Sequence, residues 1–274
     1  MNEPILEVED LVVTFPGRRG KATTVIHGVS FDLAAGETLS LVGESGSGKT
    51  TIGRAILGLA PVSEGTIRFR GQIISNVNRS ERRKLARDIQ VVFQDPYSSL
   101  NPSMRIEDVI VEPMKAAGVE GGREKVRELL EAVGLPPDSG NRYPREFSGG
   151  QRQRVAIARA LALEPSVIIC DEPTSALDVT TQAKALNLLS ELQDRTGVAY
   201  LFISHDLGVV NSISDRIAVL NKGEIVEIGE AKQVSLAPRH EYTRTLQMAA
   251  PVADPIKQRE RRELRNALLA RESR

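Results

Sequence analysis

The chain has 274 residues, 41% of them hydrophobic and 26% charged, which suits one large α/β domain or a core with a subdomain. Its 36 basic and 36 acidic side chains cancel, so the composition gives no electrostatic basis for a nucleic-acid partner. No apolar run reaches the roughly 18 residues of a membrane span, and the first residues do not resemble a signal peptide. We therefore expect any membrane role to depend on a partner.

Strands dominate the prediction for the first part of the chain. Apolar and polar residues alternate from Ile5 to Phe15, which predicts strands around a turn at Glu9-Asp10. Two further strands, at residues 25–33 and 38–42, flank a turn at Ala35-Gly36-Glu37. The next predicted elements are a helix at about residues 50–59, a strand at 66–69, a charged helix at 80–88 and a short strand at 89–93.

The pattern becomes helical between about Pro96 and Arg145. Residues 106–117 and 123–133 have helical periodicity, and prolines and glycines separate them. We interpret this stretch as a helical insertion in an α/β core.

Strands and helices alternate in the second half of the chain. Strands at residues 167–169 and 198–203 flank a helix at 182–193, which predicts a parallel sheet with crossover helices. A terminal hairpin is predicted at 215–228 around Asn221-Lys222-Gly223. Residues 256–274 suit a solvated amphipathic helix or a loose tail. The single cysteine, Cys170, continues an apolar strand, so we expect a small buried hydrophobe in a reducing compartment.

A glycine-rich segment, here called the phosphate loop, directly follows the predicted strand at 38–42. It reads Gly43-Glu44-Ser45-Gly46-Ser47-Gly48-Lys49-Thr50 and has the spacing Gly-x4-Gly-Lys-Ser/Thr. Its glycines let backbone N–H groups form an anion-binding nest, and the next helix adds the partial charge of its N-terminus. Lys49 supplies a full charge for phosphates, and the Thr50 hydroxyl can ligate Mg2+. A glycine-rich turn that binds nothing is the disfavoured alternative.

Two carboxylates follow the predicted strand at 167–169. Asp171 would position Mg2+ with the phosphates, and Glu172 would act as general base on the attacking water. A positioned base contributes about 10²–10⁴ in rate. The alternative is a helix cap or a turn after the strand. It is disfavoured because a phosphate loop precedes these acids in the sequence.

Further motifs resemble those of ATP-binding cassette (ABC) proteins. Phe147-Ser148-Gly149-Gly150-Gln151, here called the signature segment, precedes a predicted helix at 152–163 and resembles the family's Leu-Ser-Gly-Gly-Gln motif. Gln94 resembles its Q-loop glutamine, His205 in Ser204-His205-Asp206 its switch histidine, and Ser175-Ala176-Leu177-Asp178 its D-loop. The order and spacing of these motifs are similar to the family's from about Ile5 to Gly229. Phe147 in place of the usual leucine keeps the apolar bulk.

The resemblance implies a fold and an assembly. The fold is a P-loop NTPase core of the ABC ATPase type, with an antiparallel β subdomain and an inserted α-helical subdomain. We expect the core at residues 1–95 and 166–230, the helical subdomain at 96–165 and a C-terminal extension, partly helical or loose, at 231–274. ATP would lie between one subunit's phosphate loop and a second subunit's signature segment, whose hydroxyl, glycines and helix start form a second anion site.

The resemblance also assigns residues to ATP hydrolysis. Lys49, Glu172 and His205 would be catalytic. Thr50, Gln94 and Asp171 would hold Mg2+. The ATP contacts would be Phe15, Gly43, Glu44, Ser45, Gly46, Ser47, Gly48, Lys49, Thr50, Thr51, Gln94, Ser148, Gly149, Gly150, Gln151 and Asp178. We expect Phe15 to stack on adenine, with simple core packing as the alternative.

Three segments resemble one branch of the family, the ATPase subunits of dipeptide, oligopeptide and nickel importers. They are residues 94–102, residues 141–147 and Tyr242-Thr243-Arg244. This resemblance implies a peripheral ATPase pair on the cytoplasmic face of the membrane. The pair would bind two permease subunits near residues 94–101 and act indirectly with an extracytoplasmic solute-binding protein. Some relatives hold an iron–sulfur centre in the C-terminal extension, which a chain with one cysteine is not expected to do.

Two other functions are alternatives to the importer. The accessory ATPase of carbon–phosphorus lyase resembles this branch, so an ATPase of a soluble metabolic complex is the leading alternative. A DNA-repair or ribosome-associated cassette protein is a third, which usually shows two cassettes, long coiled coils or a basic face. The sequence leaves open the transported molecule, and whether the second ATPase is identical or a sister subunit.

Overall fold

The computed structural model describes residues 3–17, 21–95, 97 and 99–249, and for Ala249 the backbone alone. The tail predicted at 256–274 lies outside this range. The strands are β1 (Pro4–Phe15), β2 (Thr23–Ala34), β3 (Thr38–Val42), β4 (Glu64–Phe69), β5 (Gln72–Ile73), β6 (Ile89–Val92), β7 (Val167–Asp171), β8 (Ala199–Ser204), β9 (Arg216–Asn221) and β10 (Glu224–Glu230).

The helices lie between these strands and after them. They are α1 (Lys49–Ile56), α2 (Arg79–Asp88), α3 (Ile106–Ala117), α4 (Arg123–Ala132), α5 (Gly149–Leu161), α6 (Val179–Thr196), α7 (Leu207–Asn211), α8 (Ala231–Leu236) and α9 (Glu241–Ala249). Two short 3-10 helices, Pro137–Asn141 and Pro144–Glu146, connect α4 to α5. Across the described ranges, the helices are all too short or too polar to span a bilayer.

The larger sheet has the strand order β10-β9-β3-β8-β7-β6. Strand β3 pairs in parallel with β8 and β9, and β7 pairs in parallel with β6 and β8. The predicted parallel sheet is therefore confirmed. Strand β10 joins β9 as the predicted hairpin, and Lys222 and Gly223 at its turn have φ angles of 46° and 84°. Two successive left-handed residues suit the tight turn of a twisted hairpin.

The smaller sheet is antiparallel, with the order β2-β1-β4-β5. The predicted turn at Glu9-Asp10 is wrong, because β1 continues through it. The register to β2 shifts there as in a β-bulge, and Asp10 has a φ angle of 48°. The Ser30 hydroxyl donates to Asp10 Oδ1 at 3.1 Å and accepts the Asp10 N–H at 2.8 Å. A side chain from β2 thus holds the bulge, which the alternation in β1 alone cannot reveal.

Alternate residues of the large sheet face two separate cores. Val167 and Ile169 belong to the core shared with α1 and the small sheet, whereas Ile168 and Cys170 face the core shared with α3 to α6. Successive side chains of a strand point to opposite faces, so a strand buried on both sides reads as a continuous apolar run. Cys170 is fully buried as predicted, and burial raises the pKa of its thiol.

Helices fill the stretch predicted as an insertion. Helix α3 has the predicted bounds, and the core beneath it includes Ile110, Leu130 and Val155. Helix α5 begins at Gly149 instead of the predicted Arg152, because Ser148 and Gln151 form a capping box that includes the two glycines in the first turn. The division into residues 1–95, 96–165, 166–230 and 231–274 stays a prediction.

Candidate nucleotide-binding site

A cavity of about 790 Å³ lies where β3, β6, β7 and β8 end. The ends of parallel strands share one edge of the sheet, which is where open α/β folds place their ligands. The lining residues are Val25, Glu44, Ser45, Gly46, Gly48, Lys49, Thr50, Thr51, Gln94, Glu172, His205, Asp206, Leu207 and Leu246. The phosphate loop therefore forms one wall, and residues from β6, β7 and β8 face it.

Two glycines let the phosphate loop pass close to neighbouring strands. A Cβ atom at Gly43 would lie 2.1 Å from the Leu220 carbonyl oxygen. At Gly48, which has a φ angle of 108° and caps α1, it would lie 2.5 Å from Ile26 Cδ1. The loop can hold this path only without side chains at these positions, and the path delivers Lys49 to the start of α1.

Lys49 is a buried cation with 4% of its surface exposed. Its Nζ donates to the Gly43 and Glu44 carbonyl oxygens, at 2.8 Å each. Burial lowers the pKa of this ammonium group, and the carboxylates of Glu172, Asp171 and Glu44 oppose the shift. Because its hydrogen-bond acceptors are neutral, phosphate oxygens would supply the direct anionic partners that a buried ammonium group favours.

Thr50 and Asp171 meet on the floor of the site. The Thr50 hydroxyl donates to Asp171 Oδ1 at 2.8 Å. Burial raises the pKa of the Asp171 carboxyl group; the bond from Thr50 opposes the shift and the nearby Glu172 adds to it. A bound cation would relieve the cost of keeping this carboxylate charged. The hydroxyl and carboxylate are hard oxygen donors of the kind that Mg2+ prefers.

Three strands bring Gln94, Glu172 and His205 together. The Gln94 amide donates to Glu172 Oε2 at 3.1 Å, and His205 Nδ1 lies 3.2 Å from the same oxygen. The Glu172 side chain is 15% exposed, so its carboxylate is partly shielded but reaches the cavity. The Glu172 backbone has a φ angle of 46°, and its N–H donates to the Ile203 carbonyl oxygen at 2.9 Å.

A family model described as ABC transporter matches residues 26–175, more than half of the chain. The chain belongs to the ABC transporter family. The matched region contains the phosphate loop, Gln94, the signature segment and both carboxylates.

Named relatives and solved structures agree with this family. The glutathione import ATP-binding protein GsiA is 54% identical in Escherichia coli O157:H7 and 53% identical in strain K12, each over 271 residues. The alignment covers 96% of this chain and 44% of GsiA, so the chain spans less than half the length of these relatives.

The solved structures confirm the predicted ABC ATPase fold. The dimeric cassette MJ0796, in a post-hydrolysis state bound to ADP and Pi, is 31% identical with a TM-score of 0.74, over 82% of this chain and 98% of that one. CbiO1 from Clostridium perfringens, part of the ABC transporter complex CbiONQ, is 30% identical with a TM-score of 0.74, over 85% and 91%.

Several residues assigned by the ABC resemblance do not line the cavity. Phe15 is 37% exposed at the end of β1, and its adenine contact stays a prediction. The signature residues Ser148, Gly149, Gly150 and Gln151 form the start of α5. Asp178 caps α6 by accepting the Thr181 N–H at 3.0 Å. A Cβ atom at Gly150 would lie 2.4 Å from Thr181 Cγ2, so the signature segment packs against the α6 start.

The structure adds cavity residues that sequence reasoning missed. Asp206 caps α7, accepting the Gly208 N–H at 2.7 Å, and this cap fixes the chain directly after His205. An aspartate before a short apolar segment is an N-cap signal that could have revealed it. Val25 and Leu246 also line the cavity. They come from β2 and α9, far from the phosphate loop in sequence, and carry no local signal for this role.

Proposed function

We propose that the chain is the ATP-binding and ATP-hydrolysing cassette of an ABC importer. The observation that carries this proposal is the convergence of three elements at one edge of the large sheet. They are a buried lysine in a phosphate loop, a threonine–aspartate pair suited to Mg2+, and a glutamate contacted by Gln94 and His205. Their residues follow or end the strands β3, β6, β7 and β8, so a single structural turn does not explain their meeting.

The phosphate loop would bind the triphosphate. Its backbone N–H groups and the α1 N-terminus favour negative charge, and Lys49 adds a full positive charge. Thr50 and Asp171, with Gln94, would hold Mg2+, which would neutralise charge on the β- and γ-phosphates. Lys49 would exchange its bonds to the Gly43 and Glu44 carbonyl oxygens for phosphate oxygens, so binding leaves the buried cation with a partner.

Glu172 would act as general base during hydrolysis. Its carboxylate would take a proton from water as the water oxygen attacks the γ-phosphorus, and the bond to the bridging oxygen of ADP would break. Gln94 and His205 hold Oε2 in place before ATP arrives. His205 also lines the cavity, where it would contact the γ-phosphate.

We propose that a second cassette completes the site. The signature segment of this chain starts α5 and does not line the cavity of its own phosphate loop. Its helix start and small residues would close on the ATP of a neighbouring cassette, in a head-to-tail pair. The similarity to MJ0796, which has been solved as a dimer with ADP and Pi, supports this arrangement.

The relatives favour peptide import as the coupled process. GsiA is named for glutathione import, and glutathione is a small peptide, which agrees with the importer branch that the sequence motifs resemble. We propose that the chain works at the cytoplasmic face of the membrane with two permease subunits and an external binding protein. The permease would dock near residues 94–101, where the exposed side chains of Phe93 and Tyr97 offer apolar contact.

The proposal is tested in two stages. Titration of the full chain with Mg·ATP should show saturable binding, and an absence of binding would refute the nucleotide site. Co-expression with a permease pair of the peptide-importer branch should then yield a membrane complex whose ATPase rate rises with a peptide-loaded binding protein. A chain that binds ATP but neither co-purifies with nor responds to a permease would refute import and leave the nucleotide site standing.

A further inference from the structure

The C-terminal helix α9 contacts the phosphate loop directly. The Glu44 backbone N–H donates to the Tyr242 hydroxyl oxygen at 3.2 Å. One helical turn later, Leu246, with 8% of its surface exposed, lines the same cavity as Lys49 and Glu172. Helix α9 is therefore part of the wall of the nucleotide site, although its residues follow the last strand of the sheet.

Buried polar contacts fix the start of α9. Glu227 on β10 accepts the Arg239 and His240 N–H groups at 2.8 and 3.0 Å, and the Gln233 amide at 3.1 Å. Burial acts to raise the pKa of Glu227, but the bonds from these donors outweigh it and lower the pKa. The carboxylate thus remains charged and holds the turn before α9.

The far side of the helix is anchored as well. Arg244 donates to the Pro238 and Arg239 carbonyl oxygens at 3.1 and 3.0 Å, and Gln247 donates to the Ser235 carbonyl oxygen at 2.6 Å. These bonds tie α9 to the end of α8 and to the segment that follows it. They hold the helix that carries Tyr242, and the half-buried side chain of Tyr242 places its hydroxyl against the Glu44 N–H.

We propose that Tyr242 is a positioning residue for ATP binding, which holds the first turn of the phosphate loop by accepting the Glu44 N–H. The inference rests on the proposed ATP site. In that site Lys49 Nζ donates to the carbonyl oxygens of Gly43 and Glu44, so the Gly43–Glu44 peptide unit carries both the tyrosine contact and one lysine contact. Fixing Glu44 therefore fixes the position from which Lys49 reaches the phosphates. A loop held in its binding geometry loses less conformational entropy on binding.

The test compares Tyr242→Phe with wild type and with Tyr143→Phe in the full chain. Tyr242→Phe removes the acceptor and keeps the ring. It should raise the Kd for Mg·ATP by about two- to tenfold, the range for one lost hydrogen bond. It should raise KM and leave kcat unchanged, because Tyr242 contacts neither Glu172 nor His205. Tyr143, whose ring lies against Arg105 and Arg145 in the helical region, is the matched control and should behave as wild type.

Amide hydrogen exchange without nucleotide provides an independent readout. In Tyr242→Phe the Glu44 amide should exchange faster, while the amides of β3 and β8 keep their protection. Unchanged Glu44 exchange together with an unchanged Kd would overturn the proposal. Faster exchange across the whole sheet would also overturn it, since it would show general destabilisation. If wild type fails to bind ATP, the proposed function and the role of Tyr242 in ATP binding both fall, and the exchange of Glu44 decides only whether Tyr242 holds the phosphate loop.

Discussion

Replacing Glu172 with glutamine separates ATP binding from ATP hydrolysis. The amide has nearly the shape of the carboxylate, so its oxygen can still accept a hydrogen bond from Gln94 or His205, which now contact Oε2 at 3.1 and 3.2 Å. It cannot accept a proton from water at neutral pH. We expect the hydrolysis rate to fall by about 10²–10⁴, the contribution of a positioned base, which corresponds to about 2.7–5.5 kcal/mol of transition-state stabilisation.

Nucleotide binding should survive the same substitution. Glu172 contributes to the raised pKa of the neighbouring Asp171 carboxyl group, so removing its charge favours ionised Asp171. We therefore expect Mg·ATP to bind at least as tightly as in wild type. The variant should accumulate the ATP-loaded cassette pair because hydrolysis no longer separates it.

The assay measures phosphate release at saturating Mg·ATP, with Kd from a parallel titration. Glu164→Gln is the matched control, because Glu164 is an exposed carboxylate paired with Lys125 at 2.7 Å and lies outside the cavity. It should hydrolyse ATP at the wild-type rate. A Glu172→Gln rate within twofold of wild type would remove Glu172 from the base role. An equal loss in both variants would point to a general charge effect.

Three further changes probe the rest of the site. Lys49→Ala should weaken Mg·ATP binding by about 10- to 150-fold in equilibrium titration, because a charge-assisted phosphate contact contributes about 1.5–3 kcal/mol. Ser148→Ala removes the α5 cap and should cost about 1 kcal/mol in denaturant unfolding. In a Glu172→Gln background it should also weaken the ATP-dependent dimer seen by light scattering. Because the pKa of Asp171 is raised in the folded protein, ionising this carboxyl group costs folding free energy. That cost is absent at low pH and appears as pH rises through the raised pKa. The thermal stabilisation by Mg2+ in the presence of ATP should therefore grow as pH rises above the range in which an ordinary aspartate ionises.

Each of these expectations has a result that contradicts it. Binding by Lys49→Ala equal to that of a Lys125→Ala control would contradict the phosphate-loop assignment. A Ser148→Ala protein that is destabilised but dimerises normally would restrict Ser148 to its capping role. The same growth of Mg2+ stabilisation with pH in Asp171→Asn would place the titrating group elsewhere.

Short-range sequence patterns were sufficient for much of this site. Three features depend on residues that are close together in the sequence: the phosphate loop, the acids at the end of β7 and the glycine at the β9–β10 turn. Their residue types therefore predict their local geometry. The parallel sheet followed from the alternation of strands and helices. The contacts of Gln94 and His205 with a single glutamate oxygen were visible only in the structure.

Tertiary packing decided the remaining features. The continuity of β1 depends on Ser30 from the next strand, which the alternation within β1 does not show. The α5 start at Gly149 differs, because it is set locally by the Ser148–Gln151 capping box, a signal that helical periodicity does not contain.

The sequence by itself was enough to predict where a triphosphate would bind, because an anion nest is made by consecutive backbone groups in one short loop. The tertiary structure alone placed Tyr242 against Glu44, 198 residues away, and Leu246 in the same cavity. Contacts across that separation depend on how β10, α8 and α9 pack against the finished sheet. No local propensity encodes that packing, since it arises from the shape of the whole core.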